Sequence, residues 1–265
     1  MPAELRRAQI LARIRSAGGA AVSDLAREHG VSPITVYRDL ERLAGAGLVE
    51  RVHGGARALG ADAPIIETDW SKRRAQARSA KEKIAAHAAG WVEDGSTIFV
   101  DSSTTSLALA RRLERTAPKG LTLVTNSPAI ALGLHADSVH VIVTPGEVDQ
   151  NLRMIGGRWA AEFLAQLNFD IAFVSAAGLS LDQGLTTTRR ALADTLNAAR
   201  AVSARTIGLI DSSKFGRSSL LSIARAQELD AIVVDEGLPR ETFEEYAEAG
   251  VSLVRAGTAA TTSVT

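Results

Sequence analysis

The stretch Ser32-Pro33-Ile34-Thr35-Val36-Tyr37-Arg38-Asp39-Leu40 decides the fold at the front of this chain. Serine followed by proline is typical of a helix start, because the hydroxyl can cap the first turn and proline is tolerated at the first helical position. Val36, Leu40 and Leu43 then recur at i, i+4 and i+7. The stretch therefore predicts an amphipathic helix with one buried and one exposed face.

The residues on either side of this helix complete a small module. Upstream, helical spacing predicts a first helix over Leu5, Ile10, Leu11 and Ile14, and a very short second helix capped by Ser23 and ended by Gly30. Two short helices joined by a Gly-Val-Ser turn are typical of a helix-turn-helix. Downstream, alternating apolar and charged residues at 48–52 and a basic turn at 53–57 predict a β wing.

The outward face of the third helix is the predicted DNA-reading surface. A guanidinium there matches the two acceptors of guanine or a phosphate. The alternative is that Arg38 and Arg42 are solvated residues near Asp39 and Glu41. The cap, turn, short helix and wing occur together within about 50 residues, which favours DNA binding. The predicted DNA-binding residues are Ser32, Thr35, Tyr37, Arg38, Arg42, Arg51, His53 and Arg57.

Composition limits the other functions open to the chain. Its 265 residues, 46% hydrophobic and 23% charged, are typical of a folded protein of two domains. Nine Arg against six acidic residues make positions 1–57 net positive, which suggests a polyanionic partner for the front alone. No apolar run is long enough for a membrane span or a leader, so we expect a cytoplasmic protein. The absence of cysteine excludes thiolate zinc sites, and neither metal nor cofactor is expected.

The rest of the chain alternates short apolar runs with helical stretches, which is typical of a mostly parallel α/β sheet. The predicted strands are Thr97–Val100, Leu121–Val124, Val139–Val143, Ile171–Val174, Thr206–Ile210, Ala231–Val234 and Val251–Val254. One basic helix is predicted over Lys72–Lys83. The predicted organisation is a winged helix-turn-helix domain at 1–58, a linker at 59–75, an α/β effector-sensing domain at 76–256 and a flexible tail at 257–265.

Polar residues follow these strands, where ligands of parallel sheets bind. Hydroxyls and free N–H groups after Val100, at the start of a helix, suit a phosphate, although Ser103 and Thr104 could simply cap that helix. Lys214 either meets an anionic ligand or is a surface lysine beside Asp211. The predicted effector-binding residues are Asp101, Ser102, Ser103, Thr104, Thr105, Asn126, Ser127, Gly178, Thr186, Thr187 and Lys214.

Taken together, residues 32–40, Leu43, residues 47–49 and residues 51–56 resemble the DNA-binding module of the DeoR family of bacterial transcriptional regulators. The family usually has two adjacent arginines where this chain has Tyr37 and Arg38. The strand-end motifs resemble the family's C-terminal domain, which shares its fold with ribose-5-phosphate isomerase and CoA-transferase-like proteins and senses a sugar phosphate or related metabolite.

The resemblance implies a repressor of carbohydrate catabolism genes that is released from its operator by a phosphorylated sugar. Docking of two recognition helices in successive major grooves, about 34 Å apart, implies a homo-oligomer, a dimer or a tetramer. The helix after Thr187 has Asp194, Leu196 and Asn197 where the family usually has a glutamate and a Lys-Arg pair. The alternative is an isomerase-like enzyme, but no nucleophile–base arrangement or metal-ligand spacing stands out in the sequence.

Overall fold

The computed structural model describes residues 3–17, 19–45, 48–52, 54–58, 70–116, 118–135 and 139–257. Contacts between Cα atoms divide the chain into two compact units, Met1–Pro64 and Ile65–Thr265. In the described part of the chain, none of the helices has the length and apolar character that crossing a membrane requires.

The first unit is a helix-turn-helix with a β wing, as predicted. Its three-stranded antiparallel sheet has the order β1-β3-β2, and its core contains Ile10, Ile14, Leu25, Val36 and Leu40, all fully buried. Strand β1 was not predicted. The elements are α1 (Ala3–Ala17), β1 (Gly19–Ala21), α2 (Val22–His29), α3 (Pro33–Gly45), β2 (Val49–Val52) and β3 (Gly55–Ala58).

Two of the three predicted helix ends in this unit are confirmed. The Ser32 hydroxyl accepts a hydrogen bond from the Thr35 N–H at 3.3 Å, and Gly30 ends α2 with φ 62°. The prediction that Ser23 caps α2 is wrong, because the helix begins one residue earlier. Strand β1 runs directly into α2, and the wing turn satisfies the first helical N–H through a Val22 N–H to Gly54 carbonyl bond of 2.8 Å. The first predicted helix is confirmed as α1, although Leu5, one of the residues that predicted it, is 53% exposed.

The second unit is built on a seven-stranded parallel sheet in the order β15-β14-β12-β9-β4-β5-β6, which confirms the predicted α/β architecture and all seven predicted strands. Its elements are α4 (Trp70–Ala75), α5 (Arg78–Ala89), β4 (Thr97–Val100), α6 (Thr104–Thr116), β5 (Leu121–Thr125), α7 (Pro128–Ala131), β6 (Val139–Val143), β7 (Glu147–Asp149), β8 (Met154–Gly156), α8 (Arg158–Leu164), β9 (Phe169–Val174), β10 (Gly178–Ser180), β11 (Gly184–Thr187), α9 (Arg190–Ala201), β12 (Ser203–Leu209), β13 (Leu221–Ala224), β14 (Ala231–Val234), α10 (Arg240–Glu248) and β15 (Leu253–Arg255).

Both faces of the parallel sheet are covered. Ile98 and Val100 of β4 pack with residues of α5 and α6 on one face, whereas Phe99 packs with residues of α8 and α9 on the other. This alternation along the strand is the two-residue period of a sheet buried on both faces. Five short strands, β7, β8, β10, β11 and β13, form two small antiparallel sheets that were not predicted.

The single helix predicted over Lys72–Lys83 is wrong. The chain leaves the helical conformation between α4 and α5, where Ala77 has φ 49°. The Lys81 ammonium donates to the carbonyls of Arg73 at 2.5 Å and Gln76 at 2.7 Å. Helix ends leave carbonyls without intrahelical partners, and Lys81 satisfies two of them.

The second unit begins within the segment predicted as a linker, and its core extends to the last residue of the predicted sensing domain. Residues 59–69 of the predicted linker lie outside the described residues, but 70–75 form α4, whose Trp70 is 4% exposed and belongs to the core. At the other end, Ala256 is buried in the same core. Of the predicted tail at 257–265, positions 258–265 lie outside the described residues.

Candidate nucleic-acid interface and ligand site

The outward face of α3 is exposed, as the amphipathic pattern of its sequence predicts. Ile34 is 65% exposed and Tyr37 is 41% exposed, Arg38 and Arg42 are exposed, and Thr35 is half-buried. Among the residues that the structure describes, neither Arg38 nor Arg42 forms an ion pair. Two guanidinium groups on this face therefore keep their donors available for a nucleic acid.

The wing adds a third arginine beside α3. The Arg51 Nη1 atom lies 3.8 Å from the Glu41 Oε1 atom, and its guanidinium carbon lies 5.9 Å from the centre of the Tyr37 ring. Arg51 is thus held beside the helix while its side chain stays 46% exposed. Arg57 lies on β3 opposite Glu50 in the strand register. His53, also predicted to contact DNA, lies outside the described residues.

Asp39 is a residue of this module whose role the sequence analysis missed. It is 3% exposed, and its carboxylate accepts a hydrogen bond from the Arg6 Nε at 2.6 Å. The Arg7 Nη1 atom lies 3.6 Å away. The ion pair joins α1 to α3 and so fixes the orientation of the predicted recognition helix on its domain.

The topology of the second unit defines one crevice at the carboxyl edge of the sheet. Strand β4 lies between β5 and β9. The chain extends the sheet from β4 through β5 and β6 on one side, and from β9 through β12, β14 and β15 on the other. Ligands of open α/β sheets bind at such a reversal of strand order. The loops that follow β4 and β9 border this crevice, and the first of them carries the predicted residues 101–105.

Asp101 joins the loop after β4 to the loop after β9 through hydrogen bonds. Its Oδ1 atom accepts from the Ser103 N–H at 2.9 Å, and its Oδ2 atom accepts from the Ser175 N–H at 2.7 Å. The Ser103 hydroxyl accepts from the Ser106 N–H at 3.0 Å and therefore caps the start of α6. The Thr104 hydroxyl donates to the Arg73 carbonyl at 3.4 Å. The loop after β4 is therefore held rigidly, with its polar groups gathered at the crevice.

Two lysines bring positive charge to the same edge. The Lys214 ammonium donates to the Ser175 hydroxyl at 3.0 Å. Lys81, which the sequence analysis did not assign to the site, is 5% exposed. Burial lowers the pKa of Lys81 from 10.5 to about 8; Asp211 opposes this shift, and Lys214 and Arg73 add to it. The site can thus offer two ammonium groups, one of them poorly hydrated, to an anion.

Asn126 is the strongest polar signal for a ligand at this edge. It is fully buried, and neither its Oδ1 nor its Nδ2 has a hydrogen-bond partner among the described residues. The register places Val100 opposite Thr125, so Asp101 and Asn126 leave neighbouring strands at the same level. Buried side-chain polar atoms nearly always find partners. The hydroxyls of Thr105 and Ser106 are also buried and also lack a hydrogen-bond partner among the described residues.

Most of the other predicted effector-binding residues form hydrogen bonds within the second unit. The Ser127 hydroxyl caps α7 through the Ile130 N–H at 3.3 Å. The Thr186 hydroxyl donates to the Gly178 carbonyl at 3.1 Å and accepts from the Ser219 N–H at 2.9 Å. The Thr187 hydroxyl accepts from the Arg189 N–H at 3.3 Å, and Ser102 is 5% exposed. A ligand contact at these positions stays a prediction.

The chain matches two family models. One, described as a DeoR-like helix-turn-helix domain, covers residues 6–61, and the other, described as a DeoR C-terminal sensor domain, covers residues 76–236. The candidate aga operon transcriptional repressor of Escherichia coli O157:H7 is 31% identical over 253 residues, which are 95% of this chain and 93% of that protein. The glycerol-3-phosphate regulon repressor of Escherichia coli K12 is 28% identical over 252 residues, or 92% of this chain and 95% of that protein.

Among solved structures, ribose-5-phosphate isomerase A from Methanocaldococcus jannaschii aligns with 17% sequence identity and a TM-score of 0.39, over 52% of this chain and 54% of that chain. The description of the second unit as a parallel α/β domain rests on its own strand order.

Proposed function

Because this chain belongs to the DeoR family of transcriptional regulators, we propose that it represses carbohydrate catabolism genes and leaves its operator when a phosphorylated sugar binds. The observation that carries the DNA-binding part is the outward face of α3, where Arg38 and Arg42 are exposed and lack ion-pair partners among the described residues. Arg38 reads base edges in the major groove, and Arg51 of the wing contacts the phosphate backbone.

The chemistry at the carboxyl edge of the sheet supports an anionic, hydroxylated effector. Lys81 and Lys214 supply positive charge, while the buried amide of Asn126 offers both a donor and an acceptor to hydroxyl groups. A sugar phosphate combines these two kinds of group. One relative of this chain is named as a glycerol-3-phosphate regulon repressor, and that name is consistent with a phosphorylated effector.

Repression and release require the two sites to be coupled. Two copies held in a homo-oligomer place their recognition helices in successive major grooves, and the effector stabilises an arrangement that loses this spacing. By linkage, operator DNA and effector weaken each other's binding by one common factor, typically about 5–150-fold. The contacts of Arg73 with Lys81 and Thr104 connect the ligand edge to α4, the first described helix after the DNA-binding unit.

Substitution of Arg38 tests the DNA-binding proposal. On an operator selected in vitro, Arg38→Ala should lose about 1–3 kcal/mol of specific binding, the range for one bidentate base contact. Arg13→Ala is the matched control, because Arg13 lies on α1 and pairs with Glu28. Electrophoretic mobility shifts give both affinities. Equal affinity of wild type and Arg38→Ala would remove α3 as the reading element.

A thermal-shift screen of the full chain against sugar phosphates, free sugars and polyols tests the effector proposal. We expect stabilisation by a sugar phosphate, loss of that stabilisation in Lys214→Ala, and no change in Lys119→Ala, whose lysine is exposed in the same unit. The hit compound is then incubated with the chain and followed by NMR. Conversion of an aldose phosphate into a ketose phosphate would favour the isomerase alternative over a sensor.

A further inference from the structure

A cationic groove in the second unit extends beyond the strand-edge site. It has a volume of about 670 Å³ and runs between α4 and α5 on one side and α6 on the other. Its cationic lining residues are Arg74, Arg78, Lys81, Arg111, Arg112 and Arg115. Lys81 and Thr104 line this groove and also belong to the strand-edge site.

The positive charge of this groove is poorly compensated. Glu82 is the one carboxylate that lines it, and that group is paired with Arg78 at 2.9 Å. The single acid on α6, Glu114, accepts a hydrogen bond from the His135 N–H at 2.7 Å. Among the described residues, Arg111, Arg112 and Arg115 have no ion-pair partner. The chain as a whole is neutral, so the accumulation of arginine here is a local feature.

Two arginines of α6 repel each other across one turn of the helix. Arg111 and Arg115 are four residues apart on one helix, where like charges destabilise the helix. Arg74 and Arg78 face them from the opposite wall of the groove. Arg115 also lies in the last turn of α6, where a cation is favourable, so the feature that points to an anionic ligand is the accumulation of arginines itself.

Several lining residues between the arginines have apolar side chains, most of them small. Ala85, Ala86, Leu107 and Ala108 contribute to it, and small side chains let a ligand approach the helix backbones closely. A bare inorganic phosphate would leave this surface uncovered. The volume lies within the range of about 300–1,000 Å³ found for small-molecule sites.

We propose that this groove binds an organic polyphosphate, whose phosphate groups pair with Arg111, Arg115 and the facing arginines while its organic part covers the alanine and leucine surface. The groove shares Lys81 and Thr104 with the strand-edge site, but the proposal rests on the arginines of α4, α5 and α6, which that site does not use. Occupancy of the groove reaches the strand-edge site through Lys81, which lines the groove and hydrogen-bonds the Arg73 carbonyl.

Calorimetric titration of the full chain with ATP and with inorganic tripolyphosphate, both without divalent cations, tests this proposal. The test variant is Arg111→Ala/Arg115→Ala, which keeps helix propensity. The matched control is Arg158→Ala/Arg240→Ala, which removes the same charge from exposed arginines, each paired four residues along its helix at 2.6 Å.

We expect one ATP per chain and a loss of roughly tenfold in affinity for each arginine removed, as for charged hydrogen bonds, with the control unchanged. Tighter binding of ATP than of tripolyphosphate would support the role of the apolar surface. Equal losses in both double variants, or no binding at millimolar ATP, would overturn the proposal. The proposal would also fail if the groove variant kept its ATP affinity but bound DNA less tightly or changed its oligomeric mass. The groove would then be a contact surface for DNA or for a second copy of the chain.

Discussion

Replacing Asp39 with asparagine should destabilise the helix-turn-helix unit far more than a surface substitution. Asp39 is 3% exposed, and its carboxylate accepts a hydrogen bond from Arg6 at 2.6 Å, with Arg7 at 3.6 Å. The side chains of Arg6 and Arg7 are only 12% and 19% exposed. Asparagine keeps the shape of the side chain and removes its charge, so two partly buried guanidinium groups lose their counter-ion.

The expected cost follows from this geometry. Removal of one partner from a buried ion pair costs about 3–5 kcal/mol, and the residual hydration of the two arginines places Asp39→Asn near the lower bound, at about 3 kcal/mol. A core as small as that of this unit supplies a net stability of only about 3–5 kcal/mol. About 0–2 kcal/mol of stability remains, so roughly a few per cent to one half of the variant should have an unfolded first unit, and operator affinity should fall with the folded fraction.

Urea denaturation with two probes separates this effect from a global one. All three tryptophans, at positions 70, 91 and 159, lie in the second unit, so tryptophan fluorescence follows that unit alone, whereas far-ultraviolet circular dichroism follows both. In Asp39→Asn the dichroism transition of the first unit should move to lower urea while the fluorescence transition stays in place.

Two outcomes would refute the reasoning about Asp39. One is a change in unfolding free energy below about 0.5 kcal/mol, the level of ordinary surface substitutions. The other concerns the triple variant Arg6→Met/Arg7→Met/Asp39→Leu, which removes the carboxylate together with both of its partners. An apolar replacement of a buried ion pair is often neutral or stabilising, so this variant should recover most of the lost stability. A triple variant as unstable as Asp39→Asn would mean that the ion pairs are not the cause.

Three further substitutions have outcomes that the structure specifies. Gly30→Ala should destabilise the first unit by about 1 kcal/mol in urea denaturation, because φ is 62° there and no atom within 4 Å would obstruct the new methyl group. Tyr246→Phe should cost the second unit about 2 kcal/mol by the same measurement, because the phenol donates to the Leu179 carbonyl at 3.1 Å and accepts from the Gly216 N–H at 3.3 Å, leaving both unpaired. Lys81 binds its proton less tightly in the folded chain, with a pKa of about 8 against 10.5. The unfolded chain therefore holds more protons between these values, and folded stability should rise with pH across that interval, by at most about 3 kcal/mol relative to Lys81→Met; parallel pH profiles of the two proteins would contradict this.

Regular patterns made most of the fold predictable. The seven strands of the parallel sheet are continuous apolar runs because both faces of the sheet are covered, and such runs stand out in a sequence. The short strands β7, β8 and β10 could not be predicted, because they lack such a run. Each has three residues, which is too few for a two-residue alternation to be distinguished from a loop.

The start of α2 and the break between α4 and α5 could not be read locally, because distant groups determine both. The Gly54 carbonyl of the wing satisfies the N–H of Val22, so a capping serine is not required at that helix start. Similarly, nothing at Gln76 or Ala77 forbids a helix, and the break is stabilised by the Lys81 ammonium on the Gln76 carbonyl. Contacts of this kind depend on the tertiary structure and leave no sequence pattern around the boundary itself.

The buried positions of Asp39 and Lys81 are nevertheless indicated by the sequence pattern. Asp39 shares one helix face with Val36, Leu40 and Leu43, and Lys81 shares one with Ile84, Ala85 and Ala88. Each is thus a charged residue at an inward position of an apolar stripe. A charge at such a position requires a buried partner or a ligand, since an unpaired buried charge costs several kcal/mol. Inward-facing charges are therefore the positions to examine first in other chains of this architecture, before the polar residues of exposed loops.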